Sequence, residues 1–255
     1  MLDPIVASTR ARLAGLRPRG DELRRRALEM PAARGFSQAI TAPGLSVIAE
    51  IKRRSPSRGV LSSTLDPAGQ ARRYVEGGAA AISVLTEPDH FDGSDADLRV
   101  VRAEVAVPVL RKDFTLEPVQ VWEGRAMGAD AVLLILAILD DAAAAELLAA
   151  AGEAGLDALV EVHTEAEAER AMALGASIVG VNNRDLTTFE VDLATSERLA
   201  PILERAAARI AESGVHTAAD AARLRDAGYD AVLVGESLVR AEDPGGLLAA
   251  LRGAS

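Results

Sequence analysis

Glu50 and Lys52 stand two residues apart at the end of an apolar run, Val47-Ile48-Ala49. Side chains alternate across a strand, so this acid and amine share one face and Ile51 takes the other. The pattern recurs along the chain. Pro108-Val109-Leu110 runs into Lys112, with Asp113 facing away, and Ala158-Leu159-Val160 runs into Glu161. Ile178-Val179-Gly180-Val181 leads to Asn182 and Arg184, and Ala208-Arg209-Ile210-Ala211 to Glu212 and Ser213. A charge at the end of a buried strand is costly unless it faces a cavity or a partner. Brought into one mouth, Lys52, Lys112, Glu50, Glu161, Glu212 and Asn182 supply proton donors and acceptors side by side. Their alternating signs keep each lysine charged away from bulk water. A structural ring of ion pairs is the alternative reading.

Two stretches suit an anion. Ser213-Gly214-Val215-His216-Thr217 leads into a helix, and Gly235-Glu236-Ser237 opens a short helical turn. Backbone N–H groups at a helix start attract phosphate, although Gly and Ser are also ordinary turn residues. Glu236 is an awkward neighbour for an anion, and its N–H rather than its carboxylate would serve. Arg53-Arg54-Ser55-Pro56-Ser57-Arg58-Gly59 is a basic loop directly after Lys52, placed to fold over an anionic substrate. Only 3% of the chain is aromatic, yet Phe91 and Phe114 both fall in loops after strands, as an aromatic-substrate wall or as loop anchors. His90, His163 and His216 lack metal-ligand spacing and are read as incidental.

Elements that position these groups follow from a repeated unit: a helix-like segment, a Gly, one or two residues, then a buried strand. It occurs at Gly77-Gly78, Gly128, Gly155, Gly175 and Gly228, and Gly suits the left-handed residue after a helix. Strands are expected near 47–52, 80–85, 107–112, 131–136, 157–162, 177–182, 207–212 and 230–235. Helices are expected from Asp66-Pro67 onward and near 94–105, 117–127, 140–152, 165–174, 194–205, 217–227 and 244–252. Eight βα units and the absence of a Gly-rich dinucleotide fingerprint favour a closed (β/α)8 TIM barrel over an open doubly wound sheet. The reading is α/β, one domain over 1–255, with residues 1–45 as an N-terminal extension of one or two helices packed on the barrel. In such barrels the active site lies at the carboxyl ends of the strands, and phosphate commonly binds after strands seven and eight.

Composition sets limits. The length of 255 residues suits a single barrel, and 49% hydrophobic residues allow a large core. A formal charge of −10 argues against nucleic acid or an acidic membrane as partner. The absence of cysteine removes disulfides, thiol nucleophiles and thiolate metal sites. Asp3, Arg10 and Arg12 interrupt any secretory apolar segment, and Ala131 to Leu139 is too short to span a bilayer. A cytoplasmic protein is expected.

Taken in order, these motifs resemble the indole-3-glycerol-phosphate synthase family. The resemblance rests on Ala49-Glu50-Ile51-Lys52-Arg53-Arg54-Ser55-Pro56-Ser57, Leu110-Arg111-Lys112-Asp113-Phe114, Leu159-Val160-Glu161-Val162, Val181-Asn182-Asn183-Arg184-Asp185-Leu186 and Ala211-Glu212-Ser213-Gly214. It runs from about Val47 to Leu248. It implies a helical extension over the barrel mouth and ring closure of 1-(2-carboxyphenylamino)-1-deoxyribulose 5-phosphate, with loss of carbon dioxide and water, in tryptophan biosynthesis. It implies no cofactor and no metal and a small anionic phosphosugar-anthranilate substrate; a monomer is the separate expectation for the chain. By resemblance Lys112 is the general acid, Glu161 and Lys52 serve the later dehydration, Glu50 orients the lysines, and Asn182 holds the substrate. Arg184, Glu212, Ser213, Ser55, Phe91, Phe114 and Leu133 are implied substrate contacts. Lys52, Gly214, Gly235, Glu236 and Ser237 are implied for the phosphate. Arg54 replaces a lysine found in some members, keeping the charge but not a ready proton.

Two rivals remain at this level. A phosphosugar isomerase barrel would want Cys/Asp or paired Asp at the strand ends, where this chain has Lys and Glu. A non-catalytic phosphate-binding barrel would have no need of both Lys52 and Lys112.

Overall fold

The computed structural model describes residues 2–55, 59–62 and 64–253. Eight parallel strands form a closed barrel: β1 (Ser46–Ile51), β2 (Ala81–Leu85), β3 (Val109–Lys112), β4 (Ala131–Ile135), β5 (Asp157–Val162), β6 (Ile178–Asn182), β7 (Ala208–Glu212) and β8 (Ala231–Val234). Each pairs with the next, and β8 returns to β1 with Ser46 opposite Ala231. The strands are apolar on both sides because both sides are covered. Ile48, Leu110, Leu133, Leu159, Ile178 and Ile210 fill the barrel, while Val47, Val84, Val132, Val160, Val179 and Val232 pack outward on the helices. This alternation aims the polar ends. Glu50 is in step with Ile48, Lys112 with Leu110, Glu161 with Leu159, Asn182 with Ile178 and Glu212 with Ile210, so all five project into the mouth.

Three helices precede β1: α1 (Leu2–Leu16), α2 (Gly20–Leu28) and α3 (Phe36–Ile40). The ring then contains α4 (Pro67–Glu76), α5 (Pro88–Phe91), α6 (Asp95–Glu104), α7 (Pro118–Met127), α8 (Asp141–Ala154), α9 (Glu165–Ala173), α10 (Ala194–Leu199), α11 (Ala218–Asp226), α12 (Glu236–Arg240) and α13 (Pro244–Leu251). The expected starts are there: Asp66 caps α4 and Pro67 opens it. So are the glycine stops. Gly128 closes α7 at φ +98°, and Gly78, Gly155, Gly175 and Gly228 repeat the device. One helix is shorter than expected. The segment 194–205 is helical only to Leu199, since Pro201 lacks an N–H and its ring clashes with the preceding turn.

The extension also departs from expectation, having three helices and a longer path. Only α1 reaches the mouth, where Leu2 and Ile5 line the cavity. A 3-10 turn, Arg17–Arg19, leads to α2, which packs down the outside on α7 and α8. α3 closes the opposite end, with Phe36 and Ile40 buried in the inner cluster. There the Ser37 N–H donates to Asp157 at 2.9 Å and the Arg34 N–H to Asp130 at 2.8 Å. Among the described residues no helix is long and apolar enough to cross a membrane.

Candidate active site

The mouth is centred on one ammonium. Lys112 Nζ donates to Glu161 Oε2 at 2.9 Å and also to Glu212 Oε2. The other Glu161 oxygen accepts from Asn182 Nδ2 at 3.1 Å, and Asn182 Oδ1 in turn accepts from the Arg184 N–H at 3.1 Å. Lys52 lies just past β1 with its Nζ 2.5 Å from Glu50 Oε1. Glu50 therefore pairs with Lys52, while the direct partners of Lys112 are Glu161 and Glu212. Glu212, expected as a substrate contact, is part of the charged centre itself. These groups line one cavity of about 1240 Å³, counting the part open to solvent.

Burial and charge split the proton affinities. Burial alone would lower the Lys112 pKa, but Glu161, Glu212 and Glu50 outweigh it and hold the amine well above the lysine range. For Glu161, burial is overcome by Lys112, with help from His163 and Asn182, and the carboxyl stays well below its ordinary range. Burial dominates at Glu212 and, with the neighbouring charges of Glu161 and Glu50, outweighs the Lys112 ammonium, so its pKa is pushed up to about 7. Two carboxylates on one ammonium thus differ in how readily they accept a proton. Environments that push neighbouring pKa values apart are the mark of acid–base sites.

At the β7 and β8 ends, Ser213 (φ +65°) and Gly214 (φ +85°) are consecutive left-handed residues. A Cβ on Gly214 would meet Val191 Cγ1 at 2.6 Å, so only glycine fits that turn. The start of α11 is already satisfied. Asp220 Oδ2 accepts from the N–H groups of His216 and Thr217 at 3.0 and 2.9 Å. By contrast, Gly235 precedes α12 and supplies no side-chain cap. Ser237 Oγ donates to the Val215 carbonyl at 3.0 Å and lies 2.7 Å from His216 Nδ1. The Glu236 carboxylate lies 3.4 Å from Arg240 on the same helix. Gly235 has a second reason to be glycine, since a Cβ there would lie 2.5 Å from Glu50 Oε1.

The apolar wall combines expected and unexpected residues. Phe91 and Phe114 meet with ring centroids 6.1 Å apart. Leu133 is buried on the floor, and Ser55 lines the same cavity. Phe189 and Leu186, from the loop after β6, and Leu2 and Ile5 of α1 also line it, and the sequence reading missed them. The signal for Phe189 was its type: of four phenylalanines in the chain, three line this mouth. Asp113 points out of the barrel as expected. Burial alone would raise its carboxyl, but Arg111 and Arg12 hold it below the usual range.

Two readings need correcting. The histidines are not all incidental, because His216 lines the mouth against Ser237 and His163 lies 3.3 Å from both Glu161 and Glu167. The basic loop does not aim its first charges at the mouth. Arg53 is paired with Asp97 of α6, and Arg54 lies 3.9 Å from Asp92 in the loop after β2, so neither charge is directed at the mouth. Pro56, Ser57 and Arg58 lie outside the described residues.

Comparisons with known proteins bear on the fold and the family. A similar fold occurs in a thiamine phosphate pyrophosphorylase from Pyrococcus furiosus, at 18% identity and TM-score 0.60 over 82% of this chain and 95% of that one. It occurs also in a 3-hexulose-6-phosphate synthase, at 21% identity and TM-score 0.62 over 82% and 99%. Sequence relatives are much nearer. The indole-3-glycerol phosphate synthase of Mycolicibacterium smegmatis is 50% identical over 246 residues, covering 96% of this chain and 90% of that protein. That of Kineococcus radiotolerans is 51% identical over 251 residues, covering 96% and 92%. The family model described as indole-3-glycerol phosphate synthase matches residues 2–251, and the chain belongs to that family.

Proposed function

We propose that this chain closes the indole ring of 1-(2-carboxyphenylamino)-1-deoxyribulose 5-phosphate, releasing carbon dioxide and water to give indole-3-glycerol phosphate. The observation that carries the reading is Lys112 held between Glu161 and Glu212 at the carboxyl ends of β3, β5 and β7. The ring carbon bearing the carboxylate attacks the ketone, and negative charge builds on the ketone oxygen. Lys112 supplies the proton to that oxygen, as a positioned ammonium can. Loss of carbon dioxide restores the aromatic ring. The new hydroxyl then leaves as water, with Glu161 and Lys52 as the acid–base groups of this step and Glu50 holding Lys52.

Binding is assigned to the rest of the mouth. Asn182 and Arg184 contact the sugar hydroxyls and the carboxylate, and the paired rings of Phe91 and Phe114 flank the anthranilate. The phosphate rests on the backbone of Ser213, Gly214, Gly235, Glu236 and Ser237, with the Glu236 side chain drawn aside by Arg240. Such an anchor supplies binding energy remote from the reacting carbon. The reading is of a cytoplasmic monomer acting on a small anionic substrate without cofactor. Purified protein mixed with the carboxyphenylamino-deoxyribulose phosphate is expected to generate indole fluorescence with saturation kinetics. No signal from folded protein at micromolar concentration would refute the proposal.

A further inference from the structure

His163 is the first residue beyond β5, and its imidazole is wedged behind the charged centre. Its Nε2 lies 3.3 Å from Glu161 Oε1, and its Nδ1 lies 3.3 Å from Glu167 Oε2 on α9. The ring is only 10% exposed and is not among the residues lining the cavity. The His163 N–H donates to the same Glu167 oxygen at 2.8 Å, so backbone and side chain grip one carboxylate. Thr164 caps α9 through the Glu167 N–H, which locks Glu167 in place. Glu161 Oε1 is thus approached from the cavity side by Asn182 and from behind by His163, while Oε2 faces Lys112.

We propose that His163 is a positioning residue for the reaction: braced by Glu167, its imidazole fixes the orientation and the negative charge of Glu161. The inference rests on Glu161 acting in the reaction. His163 does not touch the substrate cavity, so its effect passes through Glu161. The groups facing it are Glu161 on its own strand, Glu167 on α9 and, more distantly, Asp185 in the loop after β6; Arg170 lies near Glu167. Burial favours the neutral ring, but Glu161 and Glu167 outweigh it and push the pKa up to about 9. A cationic ring between two carboxylates is a brace, and a neutral ring is a weaker one.

The test compares wild type with His163→Ala, His163→Asn, Glu167→Gln and Glu161→Gln, measuring kcat and KM from pH 6 to 10. His163→Ala is expected to lower kcat roughly 10- to 100-fold, in the range for losing an outer partner of a functional group, with KM changed less than about threefold. His163→Asn, which restores a neutral donor, is expected to recover part of that loss. Both variants should lack a wild-type decline in kcat near pH 9, and Glu167→Gln should move that decline to lower pH. Matched thermal midpoints guard against a folding defect, and the Asn variant decides the matter if the Ala variant does not fold. Wild-type kcat and an unchanged alkaline decline in His163→Asn would overturn the proposal. If that occurs while Glu161→Gln is inactive, only the role of His163 falls. Should Glu161→Gln itself retain wild-type kcat, the assignment of Glu161 falls with it.

Discussion

Lys112 stands between two carboxylates of unequal proton affinity, and a substrate oxygen entering the mouth competes with them for its proton. Replacing Lys112 with Ala removes the proposed acid but leaves the phosphate seat and the aromatic wall. The expected result is a fall in kcat of roughly 10²- to 10⁴-fold, with binding of a substrate analogue largely kept when measured by titration calorimetry. Activity within a few-fold of wild type would remove Lys112 from the mechanism. Legibility at this scale follows the strand period. Glu50, Lys112, Glu161, Asn182 and Glu212 were readable because apolar residues in step with them fix which way they face. His163 was not, since it lies beyond the apolar frame of β5 and its bracing partner Glu167 sits on the next helix. Its charge nonetheless has a consequence for stability. A folded-state pKa raised above the unfolded value stabilises fully below about 6.5 and progressively less as pH climbs toward 9. The deficit of His163→Asn in thermal midpoint is therefore expected to be larger at pH 6 than at pH 9.5; an equal deficit at both would contradict the raised pKa.

Elements place these groups through close approach. Gly235 follows β8, close to Glu50 of β1, and a methyl group there would press on the Glu50 carboxylate at 2.5 Å and its Cβ at 3.2 Å. Gly235→Ala is thus expected to lower kcat as well as raise KM, because it disturbs Glu50 along with the anion seat. Ser237→Asp, which brings a negative charge to α12 without touching Glu50, is expected mainly to raise KM and to abolish competition by inorganic phosphate. Unchanged KM in folded Ser237→Asp would put the phosphate elsewhere. The barrel strands were legible to within a residue or two because they are buried on both faces and five of them follow a glycine-marked turn. The extension was less so. Leucine spacing announced helices, but nothing local says that Phe36 and Ile40 plug one end of the barrel while Leu2 and Ile5 border the other. Those contacts depend on a path around the barrel that only tertiary packing selects.

For the molecule as a whole, the mouth gathers its polar side chains from five strands and the loops beyond them, in a chain with no cysteine and a formal charge of −10. Among the described residues no group of three or more His, Asp or Glu side chains is arranged to hold a metal ion. Exhaustive dialysis against EDTA is accordingly expected to leave kcat unchanged; loss restored by a divalent cation would overturn the cofactor-free reading. The central claim is that one reaction is divided between two groups in contact, Lys112 for ring closure and Glu161 for dehydration. A single turnover that follows carbon dioxide and indole product together tests it directly. With Glu161→Gln, carbon dioxide is expected to appear ahead of indole product, since Lys112 still activates the ketone. With Lys112→Ala, both signals should be suppressed together. If carbon dioxide and indole product fall equally in a folded Glu161→Gln variant, with no intermediate between them, Glu161 acts at or before ring closure and the proposed division is wrong.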